Sequence, residues 1–241
     1  PCHRGTRSGR HREGGRLRVP WGYTAGVAAD PVEKKPFFHV RPGARALSFG
    51  MLGCDLKCAF CQNWLSAQAL TEAARSVPIR RALPDGVASA AVDSGCTVVV
   101  STYNEPLITS EWAHDIFAAA KARGLVTGYV SNGHATPEVL DFLRPVTDLF
   151  KVDLKAFRSE SYRQLGGHLE AVKETISGLV ERQFWVEVVT LVVPGFNDDE
   201  AELGEMAAFL AGISADIPWH VTAFHPDYKM MDRERTPAEM L

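Results

Sequence analysis

Three of the chain's five cysteines, Cys54, Cys58 and Cys61, stand within eight residues of one another in the stretch "GMLGCDLKCAFCQNW", residues 50–64. Thiolates at spacings of four and three can wrap one corner of a metal centre. Structural zinc is closed by four ligands. His39, His114 and Cys96 are formally available as the fourth, although Cys96 opens an apolar run and reads as a small core residue. Free thiols without a ligand role would be an oxidation liability. A cubane iron–sulfur cluster usually takes four cysteines, one per iron, so three leave one iron open, which is useful only where something else must bind. Gly50 and Gly53 let the backbone approach such a cluster, with turn N–H groups near its sulfurs. A site-differentiated cluster is the reading these residues favour.

Elements must hold that loop in place. "ARALSF", "CTVVVS", "LVTGYV", "DLFKVDL", "FWVEVVTLVV" and "WHVTAF" each read as a strand buried on both faces. Between them, Trp112, Ile116 and Ala120 share one face of a helix over 109–123, with Thr109 as N-cap and Gly124 just past its end. Thr136-Pro137-Glu138 predicts another helix start. Asn197 with Glu200 suggests a capping box opening a helix over 198–212, and "RALPDG" at 81–86 marks a turn. Six strands alternating with helices imply right-handed parallel βαβ units in one α/β domain. The loops after the strands then form the working face. The cysteine triplet, "TYNEP", "SNGH", "DLK" and "FHPDY" all fall at strand ends.

Composition narrows the field further. With 46% hydrophobic and 23% charged residues and a net charge of −3, the chain calls for neither nucleic acid nor an anionic membrane as partner. No window approaches the roughly 20 apolar residues of a membrane span, and the N-terminus lacks the apolar centre of a secretory signal. Clustered cysteines argue against a disulfide framework, so a reducing cytoplasm is expected. Residues 1–30 open with six arginines against one glutamate in the first 20 and read as a basic, solvated, poorly ordered arm ahead of a core domain over 31–241. "RTPAEM" reads as the start of a helix that Leu241 cuts short, so a truncated chain is expected.

The spacing Cys54-x-x-x-Cys58-x-x-Cys61, with Phe60 before the third cysteine, resembles the radical S-adenosylmethionine (SAM) superfamily. "CAFCQNW", "EKKPFFH", "TYNEPLI", "VDLKAF", "VPGFND" and "FHPDYKM" narrow the resemblance to the radical enzyme of the AmmeMemoRadiSam system, itself similar to pyruvate formate-lyase activating enzymes. The match runs from about Asp30 to Leu241. It implies a (β/α)6 partial TIM barrel. It also implies a 4Fe-4S cluster on Cys54, Cys58 and Cys61 whose open iron holds SAM. Reductive cleavage of SAM to a 5′-deoxyadenosyl radical would then modify or activate a protein or peptide.

Mapped onto this sequence, the resemblance sets Phe60 against the adenine and has Asn63 hydrogen-bond SAM. Asn104 and Glu105 of "YNEP" would meet its amino group, and Asp153 and Lys155 would form an Asp-x-Lys pair, Lys155 on the SAM carboxylate. Ser131 and His225 would contact the methionine and ribose region. Implied partners are an electron donor such as flavodoxin or ferredoxin and Memo-like and AMMECR-like proteins. Only Cys2 remains of a cysteine-rich segment that relatives carry, so an auxiliary metal site there is not expected, and Val130 before Ser131 departs from the cation-binding pattern. Each position has a plainer alternative: Asp153–Lys155 as a surface ion pair, Glu105-Pro106 as a helix start, His225-Pro226 as a turn, His114 and Trp112 as packing. A non-catalytic zinc or iron–sulfur scaffold is the competing class. It would need none of Asn104, Glu105, Asp153 or Lys155.

Overall fold

The computed structural model describes residues 10–71 and 77–241; Cys2 lies outside them. In chain order the strands are β1 (His11–Glu13), β2 (Arg16–Arg18), β3 (Tyr23–Thr24), β4 (Gly26–Pro31), β5 (Arg45–Gly50), β6 (Arg80–Arg81), β7 (Val98–Ser101), β8 (Val126–Ser131), β9 (Leu149–Asp153), β10 (Trp185–Val192) and β11 (Trp219–Ala223). The helices are α1 (Trp64–Ala67), α2 (Pro84–Asp93), α3 (Ser110–Lys121), α4 (Pro137–Leu143), α5 (Ser159–Leu165), α6 (Leu169–Glu181) and α7 (Glu200–Ile213).

All six expected strands are present. They form one seven-stranded sheet in the order β11-β10-β9-β8-β7-β5-β4, parallel except for β4, which pairs antiparallel with β5. This is the mixed α/β architecture of a partial barrel. Alternation divides its two faces. Leu47, Phe49, Val99, Tyr129, Phe150, Val152 and Val188 point outward into the main core with the helices. There Phe49 meets Trp112 edge-on at 5.1 Å, and Tyr129 stacks on Phe150 at 5.3 Å. Cys96 and Trp112 are core residues, as expected. The inward set, Ala46, Val98, Val100 and Leu149, closes around Phe37 from the β4–β5 loop, so that loop plugs the barrel at the strand-start end. Burying a side chain such as Phe37 contributes about 1.5–3 kcal/mol.

Several expectations change. The basic arm is structured over much of its described length: β1 and β2 form a hairpin, and β4 adds an edge strand reaching Pro31, so the expected boundary at 30 falls inside a strand. Backbone pairing outweighs the arginine charge there. β11 is only half-buried, because it closes one edge of the sheet. "PDG" within 81–86 starts α2, Pro84 occupying its first turn. The N-cap of α7 is Asp199, which accepts from the Glu202 N–H at 2.8 Å, and not Asn197. Residues 238–240 make a single 3₁₀ turn.

Candidate active site

The segment after β5 carries the cysteines with no regular hydrogen-bond ladder, so outside contacts set its path. Gly53, at φ 101°, donates to the Ser66 carbonyl and accepts from the Glu105 N–H. Lys57 donates to the Leu165 carbonyl, Gln68 Nε2 to that of Leu56, and the Lys229 N–H to that of Ala59. Gly50 also serves the contact between two loops. A Cβ there would meet the Thr102 carbonyl at 2.3 Å, so its missing side chain lets the loops after β5 and β7 touch.

Cys58 and Cys61 open onto a cavity of about 520 Å³, the space above the inner faces of β8 to β11. Phe60, Asn63, Asp153 and Lys155 share its lining with Tyr103, Leu191 and Thr222. Burial pushes all three thiols up, Cys58 to about 11, while Lys155 pulls on Cys58 and Cys61 in the opposite direction. Thiolates therefore form in this loop chiefly where positive charge arrives with the ligand. Three soft sulfur donors, meeting the N–H groups of Leu56 and Asn63, fit an iron–sulfur cluster.

Lys155 donates to Asp153 Oδ2 at 3.0 Å, and the pair is part-buried rather than exposed. Burial works against the Lys155 ammonium, but Asp153 and Cys58 outweigh it, so its pKa lies above the usual lysine range. The lysine backbone is held from both sides: Tyr162 Oη accepts from its N–H at 3.1 Å, and Asn197 Nδ2 donates to its carbonyl at 2.8 Å. Asn197, read in the sequence as a helix cap, thus positions Lys155.

Cys54, Asn104, Glu105, Ser131 and His225 are absent from this lining. His225 is exposed. Asn104 Oδ1 accepts from the Met51 N–H at 3.0 Å. Glu105, 2% exposed, accepts from Ser131 Oγ at 2.7 Å, the Asn132 N–H at 2.7 Å and the Leu107 N–H at 2.9 Å. The last of these caps the 3₁₀ turn Pro106–Thr109, the plainer reading of Glu105-Pro106. Burial, helped by Asp55, pushes the Glu105 carboxyl up to about 8 against these donors.

The same node continues outward. Asn132 Nδ2 donates to Asp55 Oδ1 at 2.6 Å, and the Asn132 Oδ1 faces His134 Nδ1 at 3.0 Å. His134 Nε2 accepts from the His168 N–H, which makes Nδ1 the protonated nitrogen. "YNEP" and "SNGH" therefore brace each other and hold Asp55 beside Cys54. Asp55, Asn132 and Tyr103 were not singled out in the sequence. Tyr103 carries a signal visible only in the backbone, a φ of 73°. Its Oη contacts Ser48 Oγ at 2.7 Å and receives Lys35 Nζ at 3.0 Å.

A parallel-stranded partial barrel with a three-cysteine loop after its first inner strand defines the class. The model of the radical SAM superfamily matches residues 49–207, and the chain belongs to that superfamily. Its members use a 4Fe-4S cluster and SAM. The chain is 33% identical over 225 residues to an uncharacterized protein of Methanocaldococcus jannaschii, covering 92% of this chain and 66% of that one. It is 26% identical over 193 residues to the pyruvate formate-lyase 1-activating enzyme of Escherichia coli, covering 76% of this chain and 77% of that one. Two solved structures share the fold. TYW1 with a lysine-pyruvate adduct bound has a TM-score of 0.60 at 15% identity, covering 92% of this chain and 82% of that one. Streptococcus suis SuiB bound to precursor peptide SuiA has a TM-score of 0.56 at 16% identity, covering 72% of this chain and 38% of that one. Among the described residues, no helix is long and apolar enough to cross a membrane.

Proposed function

We propose that this chain is a radical SAM enzyme of the AmmeMemoRadiSam type that modifies or activates a protein or peptide, with Cys54, Cys58 and Cys61 as cluster ligands. The observation that carries it is the opening of Cys58 and Cys61 onto the same cavity as Phe60, Asn63, Asp153 and Lys155. A scaffold needs thiols but no such chamber. When bound, the cluster and SAM supply reductive carbon–sulfur cleavage and hydrogen-atom abstraction. The chain's own residues orient and enclose: Lys155, fixed by Tyr162 and Asn197, offers an ammonium to the SAM carboxylate. Phe60, 5.4 Å from Phe196, supplies an apolar wall for the adenine, and Asn63 a polar contact. Glu105 and Ser131 act through the loops they brace.

A protein substrate is supported by the similarity to an activating enzyme and by the extent of the cavity between β8 and β11. Flavodoxin or ferredoxin is the proposed electron source, and Memo-like and AMMECR-like proteins the proposed partners. Anaerobic reconstitution with iron and sulfide, followed by dithionite and SAM, tests the reading through 5′-deoxyadenosine and iron per chain. About four irons with 5′-deoxyadenosine formed is the expected result. Iron without 5′-deoxyadenosine would favour the scaffold.

A further inference from the structure

Below the cavity, β9, β10 and β11 carry a second, polar layer. Asp153, Val189 and Thr222 line the cavity, and two residues earlier on each strand come Lys151, Glu187 and His220. Two residues place this layer about 6.6 Å nearer the strand starts on the same inner face. Lys151 and Glu187 are fully buried, Lys151 donates to the Pro36 carbonyl, and the β4–β5 loop brings in His39.

The geometry around Glu187 divides its two oxygens. Oε1 is held by the Trp185 indole N–H at 3.1 Å and the His39 backbone N–H at 3.3 Å, which fixes the carboxylate plane. Oε2 faces His220 Nε2 at 2.7 Å and His39 Nδ1 at 3.7 Å, with the Phe38 N–H at 3.2 Å. The three ligand-type atoms lie within 4.8 Å of one another. Two ligands of a tetrahedral zinc ion, each about 2.0–2.1 Å from the metal, stand about 3.3 Å apart. Against that spacing His39 Nδ1 stands about 0.4 Å too far from Oε2 and His220 Nε2 about 0.6 Å too near, and the exposed His39 ring has the freedom to turn onto a shared ion. The His39 side chain is 55% exposed, which gives an ion its way in and leaves the fourth position to water.

We propose that His39 Nδ1, Glu187 Oε2 and His220 Nε2 form a zinc(II) site, distinct from the cysteine loop, that fastens the β4–β5 loop to β10 and β11. Two imidazoles and one carboxylate suit zinc. The Glu187 oxygen not offered to the ion has the orienting donors such ligands require. The site has a structural consequence for the cavity above: the fastened loop carries Glu33, Lys35 and Pro36, which wall the cavity. The Lys151 ammonium, 3.6 Å from Oε2, is the competing cation, so Lys151→Met should bind zinc more tightly than the parent.

The test uses tag-free protein reconstituted with iron and sulfide, so that the cysteine loop is filled, dialysed to equilibrium against buffered Zn²⁺, with zinc and iron counted per chain. The expected result is about one zinc per chain beside an unchanged iron count. Zinc should fall by about tenfold or more in His39→Ala, whose exposed side chain leaves the fold intact, and likewise in His220→Gln. Parent protein that takes up no zinc, or zinc retained in both variants, overturns the site. A deficit of iron would bear on the cysteine loop alone.

Discussion

Glu105 separates bracing from direct cofactor contact. Its carboxyl group, 2% exposed, satisfies Ser131 Oγ and the N–H groups of Asn132 and Leu107. Glu105→Ala strands three donors at about 1–3 kcal/mol each. Rotation of the Ser131 hydroxyl relieves part of that, which leaves about 3–6 kcal/mol. For a chain of this length, 1 kcal/mol moves Tm by about 2–4 °C, so a fall of about 6–24 °C is expected. Urea unfolding of the iron-free protein measures this directly. The double variant with Ser131→Ala should cost less than the sum of the two singles, since both remove the same bond. The pH dependence has a definite sign. The folded carboxyl titrates near 8, above its ordinary 4.5, so the native state holds the extra proton. Stability should therefore fall as pH rises from about 4.5 through 8, and Glu105→Gln should flatten that decline. A loss below about 1 kcal/mol in Glu105→Ala, with SAM affinity reduced instead, would refute the brace and restore the ammonium contact.

Other perturbations address the cavity and its loops. Cys54→Ala, Cys58→Ala and Cys61→Ala should each abolish 5′-deoxyadenosine formation under dithionite; full turnover in any one would remove that residue from the ligand set. Lys155→Ala removes a charge-assisted contact worth about 1.5–3 kcal/mol, so SAM affinity should drop about 10- to 100-fold with cluster absorbance intact; equal affinity in the variant would take Lys155 out of the site. Asn197→Ala should weaken SAM binding as well, through the freed Lys155 carbonyl, though by less than Lys155→Ala. Gly50→Ala drives a methyl to 2.3 Å from the Thr102 carbonyl and should destabilise the chain by about 1–3 kcal/mol; denaturation indistinguishable from the parent would mean the two loops part without strain.

What could be read from the sequence follows from how local each signal is. Six apolar runs predict the six parallel strands because a strand covered on both faces must be apolar along its whole length. β4 escaped because "GVAADP" is short, and its pairing with Arg45–Gly50 is a tertiary fact. The cysteine triplet is legible because its meaning lies in spacing within one loop. Asp153 and Lys155 are legible for the same reason, being two residues apart on one strand end. Glu105 is the opposite case. Whether its carboxylate faces a ligand or the Ser131–Asn132 turn depends on a loop 26 residues away, and the motif reads alike for both. Asn197 shows how a local rule can mislead: the Asn-x-x-Glu pattern suits a capping box, yet three bonds to Val193, Leu191 and Lys155 claim the side chain first, and Asp199 caps the helix instead.

The polar layer under the cavity marks the limit of such reading. Lys151, Glu187 and His220 sit singly in strands that otherwise look like core, and each alone reads as an isolated defect in an apolar run. Strand register turns them into a group: Glu187 lies opposite Lys151, and Val189 opposite His220. A parallel barrel whose upper inner layer must be polar for a cofactor gains by making the next layer polar too, provided the groups satisfy one another. Apolar filling supplies the other half of the interior, where Phe37 packs against Ala46, Val98 and Val100. The one loop over residues 32–44 therefore serves both halves: Phe37 plugs the apolar side, while the backbone of Phe38 and His39 and the His39 ring dock on Glu187. Because that loop also presents Glu33, Lys35 and Pro36 to the cavity, whatever holds Glu187 and His39 together also sets the position of the cavity wall.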